Sequence, residues 1–293
     1  MNKNNILLIF GFGYTAKFVC QKFSKKNWQV FCTTRFDEKI KEIESLNATP
    51  IIFDDEEKIK SILNKDSYIL STAPPDKGKD PVIKNYGCIF KNKCEKIKWA
   101  GYLSTTSVYG DKRGGWVTED TVLKPNLERS ISRVSAEKSW IKLGEILAIK
   151  TMIFRLAGIY GPGRSLVDRL IENEKIYIVD KPGHLFNRIH IEDIVGAIEM
   201  AMSARSRSAI FNLSDDLPAT QLEVAQFAAN LLKKKCPETV NLKSERVSEM
   251  ARSFYKEEKK VSNKKLKSEL GYNLVFPSFK EGLIAIYKNS KEF

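Results

Sequence analysis

Apolar positions follow two alternating rhythms along the first half of this chain. Unbroken apolar runs occur at NILLIFG (5–11), QVFCTTR (29–35), TPIIFD (49–54), SYILSTA (67–73) and WAGYLSTTSVYG (99–110), and each reads as a buried strand. Between them, TAKFVCQKFSKK (15–26) and EKIKEIESL (38–46) repeat apolar residues at steps of three and four, the signature of amphipathic helices. Strands that alternate with helices require right-handed crossovers, which predicts an α/β fold with a parallel sheet covered on both faces. No internal repeat or low-complexity tract interrupts the pattern, and no linker separates two independent domains.

Beyond about residue 155 the rhythm changes. RLAGIYGPGRS (155–165) reads as a strand running into a Gly/Pro turn, RIHIEDIVGAIEMAM (188–202) as a strand end entering a helix, and AIFNLSD (209–215) as a further strand. QLEVAQFAANLLKK (221–234) is an amphipathic helix, and the tail from Val261 to Tyr287 holds short helices around a Pro-containing turn. This half reads as a smaller cap that shares elements with the first.

Composition narrows the function classes. The 293 residues suffice for one large domain or two interleaved ones, and no apolar run approaches the roughly 18–20 residues of a membrane span. The opening apolar run is too short for the core of a signal peptide and reads as a first strand. The net charge of +13 comes mostly from lysine interleaved with glutamate, as in KKLKSEL, and no recognition module accompanies it, so a nucleic-acid partner is not expected. Five cysteines without metal-ligand spacing indicate reduced thiols and a cytoplasmic setting, and no metal site is expected. The two histidines, His184 and His190, leave little material for zinc or a histidine-based triad.

The candidate chemistry begins at Gly11-Phe12-Gly13-Tyr14-Thr15-Ala16, after a predicted strand and before a predicted helix. Gly11 permits a tight turn, Gly13 lets a pyrophosphate approach the backbone, and Ala16 allows close helix–strand packing. The amides there, including those of Tyr14 and Thr15, and the helix dipole would face an anion. The second strand ends at Thr33-Thr34-Arg35, where an acid would bind ribose hydroxyls. Arg35 can instead pair with a ribose 2′-phosphate, which favours NADP, with NAD as the alternative.

With LSTTSVYG at 103–110 added, the chain resembles an extended or atypical short-chain dehydrogenase/reductase of the NAD-dependent epimerase/dehydratase superfamily. The resemblance runs almost end to end, through GFGYTA, STAPP, LSTTSVYGD, RLAGIYGPGR, RIHIEDI and FNLSDDLP. It implies a Rossmann-type doubly wound parallel sheet with a smaller C-terminal substrate-binding lobe. The expected division is an NAD(P)-binding domain at 1–156, to which elements around 187–214 return, and a lobe at 157–293. It also implies that Ser71, Thr72, Ala73 and Pro74 line the cofactor past the fourth strand, and that Thr105 orients the substrate oxygen. A homodimer is implied by analogy alone.

The family's Tyr-x-x-x-Lys pair is missing. In NLERSISRVSAEKSW (126–140), an anchor on Ala136-Glu137 puts Arg133 at the lysine position and Arg129 at the tyrosine position; a frame that keeps Lys138 puts Val134 there. An arginine stays protonated near neutrality and is a poor general acid, though it could orient an anionic or carbonyl group. Arg129 and Arg133, four residues apart, are expected on one wall beside Thr105. Tyr109 and Tyr160 read as packing or pocket residues, Arg164 as a loop cation able to reach a substrate anion, Asp193 as a helix cap and His190 as structural. Phe186-Asn187 stands where nucleotide-sugar enzymes often carry Arg-Asp. The leading reading is an NAD(P)-dependent oxidoreductase or epimerase acting on a small polar or anionic substrate. The alternative is a non-catalytic NADP(H)-binding redox sensor or scaffold.

Overall fold

The computed structural model describes residues 5–173, 175–204 and 208–290. The chain runs β1 (Ile6–Phe10), α1 (Tyr14–Lys25), β2 (Gln29–Thr34), α2 (Ile40–Ser45), β3 (Thr49–Ile52), α3 (Glu56–Ile62), β4 (Ser67–Ser71), α4 (Pro81–Asn92) and β5 (Ile97–Thr105). Next come β6 (Trp116–Val117), α5 (Glu128–Leu147), β7 (Thr151–Leu156), β8 (Gly158–Tyr160), α6 (Leu166–Ile171), β9 (Tyr177–Asp180) and β10 (Arg188–His190). The remainder is α7 (Ile191–Ser203), β11 (Ala209–Leu213), α8 (Gln221–Leu232), β12 (Glu238–Asn241), α9 (Glu249–Phe254), β13 (Lys260–Val261), α10 (Lys264–Ser268) and α11 (Phe279–Asn289).

Among the described residues, seven strands form one Rossmann-type sheet in the order β11-β7-β5-β4-β1-β2-β3. Every residue of β1 is buried, as a central strand covered on both faces requires. It pairs in parallel with β2 on one side and β4 on the other, so the strand order reverses around it. The crevice beyond the carboxyl ends of such a pair is where this architecture places ligands. β3 lies at the sheet edge, which is where its Pro50, lacking an N–H, is tolerated.

The chain divides into two compact units, the first being Met1–Val108, Asn126–Arg155 and Val195–Phe211. The second is Tyr109–Pro125, Leu156–Ile194 and Asn212–Phe293. Tyr109–Pro125 thus lies outside the unit that the 1–156 boundary assigned it. The reason is long-range: β6 pairs in parallel with β13, and the Asp111 carboxylate accepts the N–H of Glu258 at 2.8 Å. Local periodicity carries no sign of a partner some 140 residues away.

The core of the first unit is aromatic. Phe10, Phe53, Tyr86 and Phe90 pack edge to face or tilted, and Tyr102 stacks on Trp140 with centroids 6.0 Å apart. The indole Nε1 of Trp140 donates to Asp80 Oδ2 at 3.0 Å, while Asp80 Oδ1 caps α4 by accepting from Val82 and Ile83. Burial raises the Asp80 carboxyl above its ordinary value, against the pull of these bonds. Nearby, Arg155 and Glu137 form a buried bidentate pair, with Nη2 to Oε2 at 2.8 Å, and Ser104 donates its hydroxyl to Glu137 Oε1. This group ties α5 to β5 and β7.

In the second unit β8 pairs with β10 and β9 with β12, both in parallel. Capping boxes at Ser165/Asp168, Thr220/Glu223 and Ser278/Glu281 start α6, α8 and α11. Tyr160, Val167, Val224, Ala228, Phe279 and Leu283 form the core beneath them. Asp193 does not serve as a helix cap. It lies inside the first turn of α7, fully buried, and its carboxylate accepts from the N–H groups of Val275 and Phe276 and the hydroxyl of Tyr272. It therefore staples the tail of the chain. Among the described residues no helix is long and apolar enough to cross a membrane.

The buried pair yields a stability test. Glu137→Ala would leave the Arg155 guanidinium uncompensated, so chemical denaturation should show a loss of about 3–5 kcal/mol. A loss below about 1 kcal/mol, the scale of a surface pair, would mean that the group is dispensable.

Candidate functional site

The two glycines after β1 have different reasons to be glycine. Gly11 has φ +97, and a Cβ there would lie 3.0 Å from Thr72 Oγ1 and 3.2 Å from the Ala73 nitrogen. The chain's own packing demands it. Its N–H donates to Thr33 Oγ1 at 3.0 Å, and its carbonyl accepts from the Thr72 hydroxyl at 3.0 Å. Gly13 has φ −118, a conformation open to any residue, and a Cβ there would meet nothing within 4 Å. Internal packing leaves the space at Gly13 open on the cavity side. α1 begins directly behind it without a side-chain cap and with no acid in its first turn. The positive end of the helix dipole there favours an anion.

These residues open on a cavity of about 300 Å³ in the first unit. Of the residues expected to bind cofactor, Gly11, Gly13, Thr34, Arg35, Thr72, Ala73 and Pro74 line it together. Tyr14, Thr15 and Ser71 are not among its walls. Tyr14 opens α1 and packs its ring on Phe18, Thr15 is buried, and Ser71 ends β4 with a buried hydroxyl that has no partner. The Thr34 hydroxyl bonds the N–H and carbonyl of Phe36 at 3.0 and 3.1 Å, fixing the turn that presents Arg35. The exposed Arg35 guanidinium sits 4.7 Å from the Phe53 ring centroid.

Sequence reasoning gave no role to Thr33, Phe36, Phe53 or Pro81, which also line this cavity. Thr33 carried a readable signal, since its hydroxyl ends the strand beside the glycine turn. Phe53 follows directly after β3, as Arg35 follows β2, and adjacent parallel strands bring such positions together.

The wall expected from Thr105, Arg129 and Arg133 is built differently. Thr105 ends β5, partly exposed, and its Oγ1 accepts the Ser107 N–H at 3.2 Å, which leaves the hydroxyl proton available to donate. Arg129 is exposed in the first turn of α5. At that level the helix turns Ser130 inward, and its hydroxyl donates to Ser107 Oγ at 2.9 Å. Arg133 is partly buried and held on β5. Its Nη1 donates to the Tyr102 hydroxyl at 3.0 Å and to the Leu103 carbonyl at 2.8 Å. The two arginines thus have different tasks although they are four residues apart. Arg133 bonds residues of β5 and Ser130 bonds the turn just after it, whereas Arg129 is exposed.

No phenol stands ready to replace the absent one among Tyr102, Tyr109 and Tyr160. Burial raises the phenols of Tyr102 and Tyr160 well above their ordinary value. Within the second unit, Tyr109 donates to Asn212 Oδ1 at 2.6 Å and Tyr160 to the Ser278 carbonyl at 3.2 Å. His190 packs against Phe276 and Tyr160, accepts the Glu192 N–H on Nδ1, and is pushed down to about 4 by burial, so it stays neutral. Arg164 lines a separate cavity in the second unit.

Residues 91–214 match the model of the NAD dependent epimerase/dehydratase family. Protein YeeZ of Escherichia coli K12 is 25% identical over 218 residues, covering 70% of this chain and 76% of YeeZ. A solved structure of a functionally unknown conserved protein from Silicibacter pomeroyi is 35% identical at a TM-score of 0.88, covering 98% of this chain and 99% of the other. UDP-glucuronic acid 4-epimerase from Bacillus cereus, solved with UDP-glucuronic acid and NAD, is 19% identical at a TM-score of 0.75, with 98% and 99% covered. At that identity the likeness speaks for the fold.

The two glycines part under mutation. Gly13→Val should leave the thermal midpoint within a few degrees of the parent and abolish dinucleotide binding in calorimetry, because the new side chain fills space that only a ligand uses. Retained affinity in a folded Gly13→Val protein would remove the cradle assignment.

Proposed function

The chain belongs to the NAD-dependent epimerase/dehydratase family, and on that premise we propose that it binds NADP(H) in the first unit and acts as an oxidoreductase or epimerase on a small polar substrate without a Tyr-Lys proton relay. The observation that carries the reading is the cavity framed by the Gly11–Gly13 turn, with Arg35 on its wall and no acid at the end of β2. The residues suit a dinucleotide: the open space at Gly13 and the uncapped amides of α1 receive a pyrophosphate, and Phe36, Phe53, Pro74 and Pro81 offer an apolar slot. Arg35, braced on Phe53, would meet a ribose 2′-phosphate.

When bound, a nicotinamide dinucleotide supplies hydride transfer. Thr105 accepts the Ser107 N–H, and its hydroxyl proton would serve a substrate oxygen, the orienting part of the family's chemistry. Arg133, at the lysine position, is held by Tyr102 and the Leu103 carbonyl, and it contributes fixed positive charge behind β5 without moving a proton.

That engagement of Arg133 also favours a second reading, a non-catalytic NADP(H) sensor that retains the cradle. NADPH oxidation separates the two: turnover in the presence of a polar carbonyl pool, lost in Thr105→Val, supports the enzyme. Tight binding without turnover in any pool supports the sensor.

Cofactor choice rests on Arg35. Arg35→Ala should weaken NADPH by about 1.5–3 kcal/mol, the scale of a charge-assisted hydrogen bond, and leave NADH nearly unchanged. Fluorescence titrations with both cofactors check this; equal losses, or none, would show that Arg35 does not discriminate.

A further inference from the structure

The second unit holds a cavity of about 820 Å³, and Arg188 on β10 is one of its walls. This arginine is only 8% exposed. Its Nη1 donates to the carbonyls of Phe186 and Ala219 at 3.0 and 2.9 Å, and Nη2 approaches Gln221 Oε1 at 3.4 Å. All three acceptors are neutral. Among the described residues no carboxylate pairs with the guanidinium, and its Nε–H and one Nη2–H have no acceptor.

The acids whose charge reaches it do not bond it. Asp215 accepts the Leu217 N–H on Oδ1, has no partner on Oδ2, and is pushed up to about 8 by burial, so it is mostly protonated near neutrality. Glu223 is held by the N–H and hydroxyl of Thr220 at 2.7 and 2.8 Å at the start of α8. A guanidinium does not shed its proton on burial as an ammonium can, so its charge persists in the wall. A buried charge without a counter-charge is costly, and an anion from outside would relieve it. Lys175 also lines the cavity.

We infer that this cavity binds a small monocarboxylate, its carboxylate meeting the Nε/Nη2 edge of Arg188 and its body lying against Ile178, Phe186, Val224, Tyr255 and Leu283. The planar edge of a guanidinium matches a planar carboxylate with two parallel hydrogen bonds, and one buried cation answers one negative charge. The aliphatic and aromatic side chains in the lining favour an apolar body over a polyhydroxylated one. The site lies in a different compact unit from the dinucleotide cavity, so it stands or falls separately from the NADP(H) reading.

Ligand-observed saturation-transfer NMR on the full chain without cofactor tests it, using phenylacetate, its neutral amide phenylacetamide, and inorganic phosphate. Phenylacetate should bind saturably and at least about 10-fold more tightly than the amide, the scale of a lost charge-assisted pair. Phosphate at equal concentration should not displace it. Arg188→Gln should lose phenylacetate binding, while Arg188→Lys should keep part of it. Equal binding of acid and amide, or a folded Arg188→Gln protein that binds like the parent, would overturn the inference. Displacement by lower concentrations of phosphate would overturn the carboxylate assignment in favour of a phosphate ligand. If Arg188→Gln fails to fold, the acid–amide comparison in the parent protein decides alone.

Discussion

Two threonine hydroxyls hold one residue, Gly11, and the candidate cofactor site depends on that constraint. The N–H of Gly11 donates to Thr33 at the end of β2, and its carbonyl accepts from Thr72 just beyond β4. Gly11 is thereby fixed at the point where the strand order reverses, in a conformation with φ +97 that other residues adopt only under strain. The clamp does more than close a turn. It sets where Gly13 and the first amides of α1 stand, and it brings the ends of β2 and β4 to the same cavity. Had the turn been loose, the open space at Gly13 would carry little meaning. Because the turn is pinned on both sides, the open space at Gly13 has a fixed place beside the cavity.

The α5 wall follows a different logic, in which charge serves packing. Glu137, Arg155 and Ser104 form a buried group, and Arg133 is bound to Tyr102 and the Leu103 carbonyl one turn earlier. These contacts fix the helix against β5 and β7 and so hold Thr105 in place. They keep the helix docked through Arg133, Glu137 and Arg155.

Much of the first unit was legible from residue order. The run ILLIF could only be a central strand, and Gly-x-Gly after it could only be useful ahead of a helix; both are found. Residues at the ends of β1, β2 and β4 meet in one cavity because parallel strands place their ends side by side. Three other features were not legible. The pairing of β6 with β13 joins segments distant in sequence and moves Tyr109–Pro125 out of the first unit. Asp193 looked like a helix cap because acids favour first turns, yet its carboxylate holds the tail at Val275 and Phe276. Arg129 and Arg133 shared a helical face on paper, but only Arg133 is partly buried and bonded to β5, while Arg129 is exposed. In each case tertiary contact overrode a local rule.

The central claim is that the clamped glycine turn and the ends of β2 and β4 form one dinucleotide site that prefers NADP(H). Hydrogen–deuterium exchange of the wild-type chain with and without NADPH tests it most directly. The account predicts protection in peptides covering residues 10–17, 33–36 and 71–74, with a smaller effect from NADH at equal concentration. Unchanged exchange in those peptides at saturating NADPH, or protection confined to the second unit, would contradict it.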